Sequence, residues 1–168
     1  MARRAVAVCG PPLPAARSGF PEGVAACDAA PVHANDPAVI DRLLSGPGRW
    51  AVVGLSTNPS RAAFGVAAYL QRLGKTIVPV HPSAPVVHDE QGYASLADVP
   101  GEIDVVDVFV NSSLAGDVVD QAIARGARAV WLQLGVVDEA AAQRARAAGL
   151  DVVMDTCPAI EGRARGLG

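Results

Sequence analysis

Short apolar runs alternate with longer stretches of helical periodicity along most of this chain. The runs have strand length, and the first of them is unbroken by polar residues, as is typical of parallel strands buried on both faces. They lie at residues 50–55, 76–80, 104–110, 127–134 and 150–154. Between them, apolar residues recur on one helical face, as at Ala63, Val66, Ala67, Leu70 and Leu73. The alternation predicts a single α/β domain, a Rossmann-like, doubly wound and mostly parallel sheet with helices on both faces.

Composition sets the size of this domain and its boundaries. The chain has 168 residues, of which 51% are hydrophobic and only 4% aromatic, so one core built mainly from Val, Ala, Leu and Ile is expected. Residues 1–35 mix Pro, Ala and Gly without a sustained period, which predicts a disordered N-terminal tail. A leading helix is expected after an N-cap at Asn35 or Asp36. The folded domain is predicted to span 36–161, with a C-terminal tail at 162–168.

Charge and cysteine content argue against several classes of function. A net charge of −3 gives no electrostatic reason to expect nucleic acid or an anionic membrane as a partner. Cys9, Cys27 and Cys157 are odd in number and lack C-x-x-C spacing, so neither a disulfide framework nor a zinc site is predicted. The N-terminal apolar patch is too short for a signal peptide. We expect a cytoplasmic protein with no metal and no membrane span.

The loop after the first predicted strand carries the residues best suited to a ligand. In a doubly wound sheet, ligands bind outside the carboxyl ends of the strands, where the loops after Leu55, Val80 and Val110 should meet. The first loop combines Gly54 with hydroxyl and amide side chains and precedes a helix, whose free N–H groups favour a phosphate. Arg61 can add a charge-assisted contact. The alternative is that these polar residues are an ordinary solvated turn.

A nicotinamide dinucleotide makes specific demands that this loop does not meet. The expected fingerprint is G-x-G-x-x-G, followed by an acidic residue at the end of the second strand to bind the ribose hydroxyls. Here Ser56 and Pro59 occupy the second and third glycine positions, and His81 stands where the acidic residue is wanted. A neutral or cationic residue is more compatible with an extra phosphate on the ribose. The loop is therefore compatible with an NADP-like or a coenzyme A-like ligand.

Several ordered segments resemble one family. They are AVVGLSTNPSRAAFGVAAYLQRLGKTIVPVHP, YASLADVPGEIDVVDVFV and GARAVWLQLGVVDEAAAQRARAAGLDVVMDTCPAIE. Over residues 36–161 the chain resembles the small stand-alone CoA-binding proteins, whose domain is similar to the CoA-binding domain of the succinyl-CoA synthetase α-subunit. The resemblance implies a CoA or acyl-CoA ligand lying across the ends of the first three strands. By position it implies binding by Gly54, Ser56, Thr57, Asn58, Arg61, His81, Pro82, Val110, Asn111 and Ser112.

No catalytic residue is predicted. The synthetase reaction resembles a relay through a phosphohistidine on a further domain, and neither His81 nor His88 lies in such a domain. His81 is read either as a ligand contact or as a turn residue, and Cys157 either as a reactive thiol facing the CoA sulfur or as an inert one. Asp107 is expected to be a hydrogen-bonded strand residue.

We therefore expect a non-catalytic CoA-binding protein. Two alternatives remain open: an NADP-binding, oxidoreductase-like protein, and a regulatory or partner subunit of an acyl-CoA ligase.

Overall fold

The computed structural model describes residues 34–168, and residues 1–33 of the tail predicted for 1–35 lie outside the described residues. The strands are β1 (Arg49–Val53), β2 (Thr76–Val80), β3 (Val105–Val108), β4 (Ala129–Leu132) and β5 (Asp151–Val153). The helices are α1 (Pro37–Ser45), α2 (Ala62–Arg72), α3 (Ser112–Ala124), α4 (Glu139–Ala147) and α5 (Pro158–Ala164). A single 3-10 turn, Leu96–Asp98, lies between β2 and β3.

The strands form one parallel sheet in the order β2-β1-β3-β4-β5. The chain first builds outward from β1 to β2 and then crosses back to place β3 on the other side of β1. Val52 is paired with Pro79 of β2 and with Asp107 of β3, so β1 occupies the interior of the sheet where this reversal occurs. The predicted Rossmann-like α/β class is confirmed, and the reversal opens a crevice at the carboxyl ends of β1 and β3.

Both faces of the sheet are covered by helices. On one face, Val106 and Val108 pack against the small side chains of α3 and α4, such as Ala115 and Ala141. On the other, Trp50 and Trp131 lie 5.7 Å apart between ring centroids and pack among residues of α1, α2 and α5. Alanine-rich helix faces let the helices approach the sheet closely, which explains how a core with few aromatic residues fills its volume.

Both predicted ends of the domain need correction. Asn35, assigned to the disordered tail, exchanges two hydrogen bonds with the backbone of Met154, at 2.7 and 2.8 Å. At the other end, α5 runs past residue 161, and the hydroxyl of Tyr69 donates to the Leu167 carbonyl at 2.6 Å. The segment 162–168 is therefore packed against α2 and is not a tail. It supplies the hydrogen-bond acceptor that a buried tyrosine hydroxyl needs.

None of the helices among residues 34–168 is long and apolar enough to span a membrane. The cytoplasmic location remains a prediction.

Candidate functional site

A crevice of about 450 Å³ lies at the carboxyl end of the sheet. The loops after β1, β2 and β3 line it, as the topology requires. Six predicted binding residues face it: Gly54, Ser56, Arg61, His81, Pro82 and Val110. The remaining lining residues are Val53, Val80, Ala94, Ser95, Leu96, Phe109, Val118 and Gln121. The structure thus brings together all three loops that the sequence singles out.

The amino end of α2 lies beside this crevice. Arg61 is the N-cap residue and its backbone is extended, and no side chain in the described part of the chain caps the helix. The first N–H groups of a helix have no partner within it, and the helix dipole adds partial positive charge at the same place. With the exposed guanidinium of Arg61 added, this corner of the crevice is suited to a phosphate.

Gly54 is needed for a contact between two loops. Its φ is +95°, and a Cβ built on it would lie 2.8 Å from the carbonyl oxygen of Phe109. Its own N–H donates to the Val80 carbonyl at 2.8 Å. Glycine at this position therefore lets the β3–α3 loop close against the β1–α2 loop.

Four predicted site residues are not among those lining the crevice. Asn58 accepts a hydrogen bond from the Ser60 N–H at 2.9 Å and so shapes the turn before α2. The hydroxyl of Ser112 bridges to the loop after β4, donating to the Gly135 carbonyl at 3.3 Å and accepting from the Val137 N–H at 3.1 Å. Thr57 is exposed, and Asn111 lines a neighbouring pocket. Their role in binding stays a prediction.

His81 is held in one orientation by the turn that follows it. Its Nδ1 lies 2.8 Å from the Ser83 hydroxyl and accepts from the Ser83 N–H at 3.2 Å. An Nδ1 that accepts a hydrogen bond carries no proton, so the neutral ring is protonated at Nε2. Nε2 is then available as a donor to a ligand in the crevice.

The segment 94–96, which no sequence prediction assigned to the site, closes the crevice on the side of β2. Tyr93 pairs with β2 in an extended conformation, donating to the Pro79 carbonyl at 2.9 Å and accepting from the His81 N–H at 3.0 Å. The next residues then form a capping box in which Ser95 and Asp98 bind each other. A helical turn at 95–99 is predicted by the sequence and is confirmed, but the sequence does not show that this turn lies beside the crevice.

A second pocket, of about 330 Å³, lies beyond β3 at the same edge of the sheet. It shares Phe109 and Val110 with the crevice. Its other lining residues are Ala62, Asn111, Gln133, Leu134, Val136, Cys157 and Ile160. We call it the apolar pocket, since six of these nine side chains are hydrocarbon. Its Cys157 thiol is half-buried.

Behind the apolar pocket, Asp107 is completely buried in β3. The amide nitrogen of Gln133 donates to its Oδ1 at 2.5 Å, whereas Oδ2 has no partner among the described residues. Burial raises the pKa of Asp107 to about 8, against the lowering effect of the Gln133 hydrogen bond. Asp107 is therefore mostly protonated at neutral pH, and as predicted it is a hydrogen-bonded strand residue.

No cluster of three or more His, Cys, Asp or Glu side chains suited to a metal occurs in residues 34–168.

Comparisons with known proteins agree on the family. The sequence profile of a family described as a CoA binding domain matches residues 48–163. The chain is 35% identical over 120 residues to the Bacillus subtilis protein YneT, described as uncharacterized, with 71% of this chain and 89% of YneT covered. A solved structure of a hypothetical protein from Pyrococcus horikoshii is 34% identical, with a TM-score of 0.75 and coverage of 82% and 96%.

The fold also occurs as part of a larger enzyme. A dinucleotide forming acetyl-coenzyme A synthetase from Candidatus Korarchaeum cryptofilum, solved with phosphate and ADP, matches with a TM-score of 0.60 at 24% identity. The match covers 69% of this chain but 27% of that one, so the likeness concerns one part of the enzyme and extends to its fold alone.

Proposed function

This chain belongs to the CoA-binding domain family, and from that premise we propose that it binds coenzyme A in the crevice without catalysing a reaction. The observation that carries the proposal is the uncapped amino end of α2, with Arg61 beside it, at the point where the sheet reverses direction. Such a helix end supplies N–H donors and positive potential for a diphosphate. Ser56 lines the same corner and can donate its hydroxyl.

The part of the crevice near β2 suits the phosphorylated ribose of CoA. His81 presents Nε2 there as a donor, and none of the described residues that line the crevice carries a carboxylate. In NAD-binding proteins a carboxylate at this position binds the ribose hydroxyls, and it would repel a ribose phosphate. The described surface near His81 therefore favours a ligand with a phosphate on the ribose, which CoA and NADP share and NAD lacks.

The absence of a catalytic pair among the lining residues supports a binding role. Within residues 34–168, the charged or titratable side chains that line the crevice are those of Arg61 and His81. General acid–base chemistry needs a positioned acid and base, and nucleophilic chemistry needs a nucleophile beside a base. Of the described residues facing the crevice, His81 alone is a candidate for proton transfer, and its Nδ1 is already occupied by Ser83.

Calorimetric titration of the full chain with CoA, dephospho-CoA, NADP and NAD tests the proposal. We expect CoA to bind most tightly and dephospho-CoA more weakly. His81→Ala should abolish most of the difference between these two ligands. Tighter binding of NADP than of CoA would show that the crevice serves a nicotinamide cofactor instead.

Arg61→Ala separates a phosphate contact from general surface charge. Loss of a charge-assisted hydrogen bond is expected to weaken CoA binding by roughly tenfold or more. Arg146→Ala is the matched control, because Arg146 is an exposed arginine on α4 that does not line the crevice. Equal effects of the two substitutions would mean that Arg61 acts only through the net charge of the protein.

A further inference from the structure

The apolar pocket continues the crevice along the edge of the sheet. The crevice lies across the ends of β2, β1 and β3, and the apolar pocket lies across the ends of β3 and β4. Phe109 and Val110 line both. Ala62, the first residue of α2, lines the apolar pocket, while Arg61 beside it lines the crevice. The amino end of α2 thus stands between the two cavities.

This position matters for a ligand whose diphosphate lies in its middle. In CoA the diphosphate joins the phosphorylated adenosine to the pantetheine arm, which ends in the thiol or thioester. With the diphosphate at the start of α2 and the adenosine toward His81, the other arm extends past Phe109 and Val110. The apolar pocket is the cavity on that side of α2, and with a thioester it receives the pantetheine arm together with the acyl group at its end.

Two exposed apolar side chains border the pocket. Leu134 is 63% exposed and Ile160 is 54% exposed, and both are large. Single exposed apolar residues are ordinary, but these two frame a cavity that also contains Phe109 and Val136. A hydrocarbon group bound between them would remove their surface from water along with its own.

The side chains of the pocket offer an anion no positive charge. Among residues 34–168, no lysine, arginine or histidine lines it. Gln133, which is 5% exposed, directs its amide nitrogen at Asp107 behind the pocket wall. A carboxylate placed here would lose hydration without gaining a cation, which is costly.

From this arrangement we infer that the apolar pocket binds the acyl group of a CoA thioester and selects short, uncharged hydrocarbon chains over free CoA and over dicarboxylic acyl groups. The inference rests on the proposed function, because the acyl group reaches the pocket only when CoA occupies the crevice. Beyond CoA binding in the crevice, the apolar pocket then gives the protein a specificity for the acyl group. The selecting residues are Leu134, Val136 and Ile160.

Titration of the full chain with CoA, butyryl-CoA and succinyl-CoA tests the specificity. The two thioesters carry acyl groups of equal carbon number and differ by a terminal carboxylate. Each buried methylene strengthens binding about fourfold, so butyryl-CoA should bind at least about tenfold more tightly than CoA. Succinyl-CoA should bind no more tightly than CoA.

The titration results distinguish failure of the acyl pocket from failure of the proposed CoA site. Tight CoA binding with equal affinity for butyryl-CoA would overturn the acyl pocket and leave the CoA site intact. Equal affinities for butyryl-CoA and succinyl-CoA would overturn the selection against charge. Failure of all three ligands to bind would overturn both proposals. Burial of Leu134 and Ile160 in a dimer of this chain would also abolish the butyryl preference and count against the inference.

Leu134→Arg tests the location of the acyl group with little risk to folding, since Leu134 is mostly exposed. It should remove the butyryl preference over free CoA and raise the affinity for succinyl-CoA above that for butyryl-CoA. Leu114→Arg is the matched control, because Leu114 is 51% exposed on α3 and does not line the pocket. A butyryl preference that survives Leu134→Arg would overturn the assignment.

Cys157 provides a reporter inside the pocket. Its rate of alkylation by iodoacetamide can be followed on its own peptide by mass spectrometry, separately from Cys9 and Cys27. Butyryl-CoA at saturation should slow alkylation of Cys157 several-fold more than saturating CoA does. Equal protection by both ligands would place the acyl group elsewhere.

Discussion

At the scale of single residues, Gly54 shows that a glycine in a binding motif can be required for packing. Gly54→Ala would place a Cβ 2.8 Å from the Phe109 carbonyl oxygen at a φ of +95°. Because backbone rather than a flexible side chain must move, we expect a loss of stability on the order of 2 kcal/mol in urea denaturation. Gly65→Ala is the control, since its Cβ would meet nothing within 4 Å and alanine favours the interior of α2. Equal stability of the two variants would contradict this explanation.

Asp107 gives the protein a stability that depends on pH. Its folded pKa is raised to about 8 from the ordinary 3.8, so between these values the folded chain holds a proton that the unfolded chain has released. Stability therefore falls as pH rises through this window, by at most about 1.4 kcal/mol per pH unit, and levels off above it. Asp107→Asn removes the titrating group, so the free energy of unfolding of this variant should not fall in this way. The stability of the variant minus that of the unmodified protein should therefore increase from pH 5 to pH 8.

Urea denaturation at several pH values measures this difference. Asp117→Asn, an exposed change on α3, should keep the pH dependence of the unmodified protein. A stability difference between Asp107→Asn and the unmodified protein that does not vary with pH would show that Asp107 is ionised in the fold.

At the scale of elements, the sequence was most informative where the periodicity is local. The apolar runs of β1, β2 and β3 and the Asp36 cap of α1 are all readable within a few residues, and the structure has them. The extended Tyr93 and the end of α5 depend on partners distant in sequence, Pro79 and Tyr69. Local patterns cannot show such pairings. The turn at 95–99 could therefore be predicted, but its position beside the crevice and the packing of the C-terminus could not.

The contact between α2 and α5 depends on Gly162. A Cβ there would lie 2.1 Å from the hydroxyl oxygen of Tyr69 and 3.0 Å from its ring carbon. Gly162→Ala should therefore cost about 1–3 kcal/mol of stability by overpacking. Tyr69→Phe removes the closest clashing atom, so the double variant should lose less than the sum of the single changes. Strictly additive losses would mean that α5 shifts as a whole and that Tyr69 does not limit its approach.

At the scale of the whole molecule, the two ends of the sheet are built differently. At the amino end, charged side chains are paired with each other: Arg42 binds Asp151, and Arg128 binds Asp104 and Glu102. At the carboxyl end, none of the described side chains caps the start of α2, and the crevice lies beside it with Arg61. The free donors at the start of α2 therefore give the molecule a direction for binding an anion.

Hydrogen exchange with and without saturating CoA tests this direction. Loop amides exchange by local opening, and a ligand present at a hundred times its Kd can slow exchange of the amides that it covers by up to about a hundredfold. We expect slower exchange in the segments 54–61, 81–83 and 109–112, which follow β1, β2 and β3. The turn at 126–128, at the amino end, should exchange at an unchanged rate, because the ligand would lie at the opposite edge. Protection of 126–128 without protection of 54–61 would move the site to the amino end and remove the helix-terminus argument for phosphate binding.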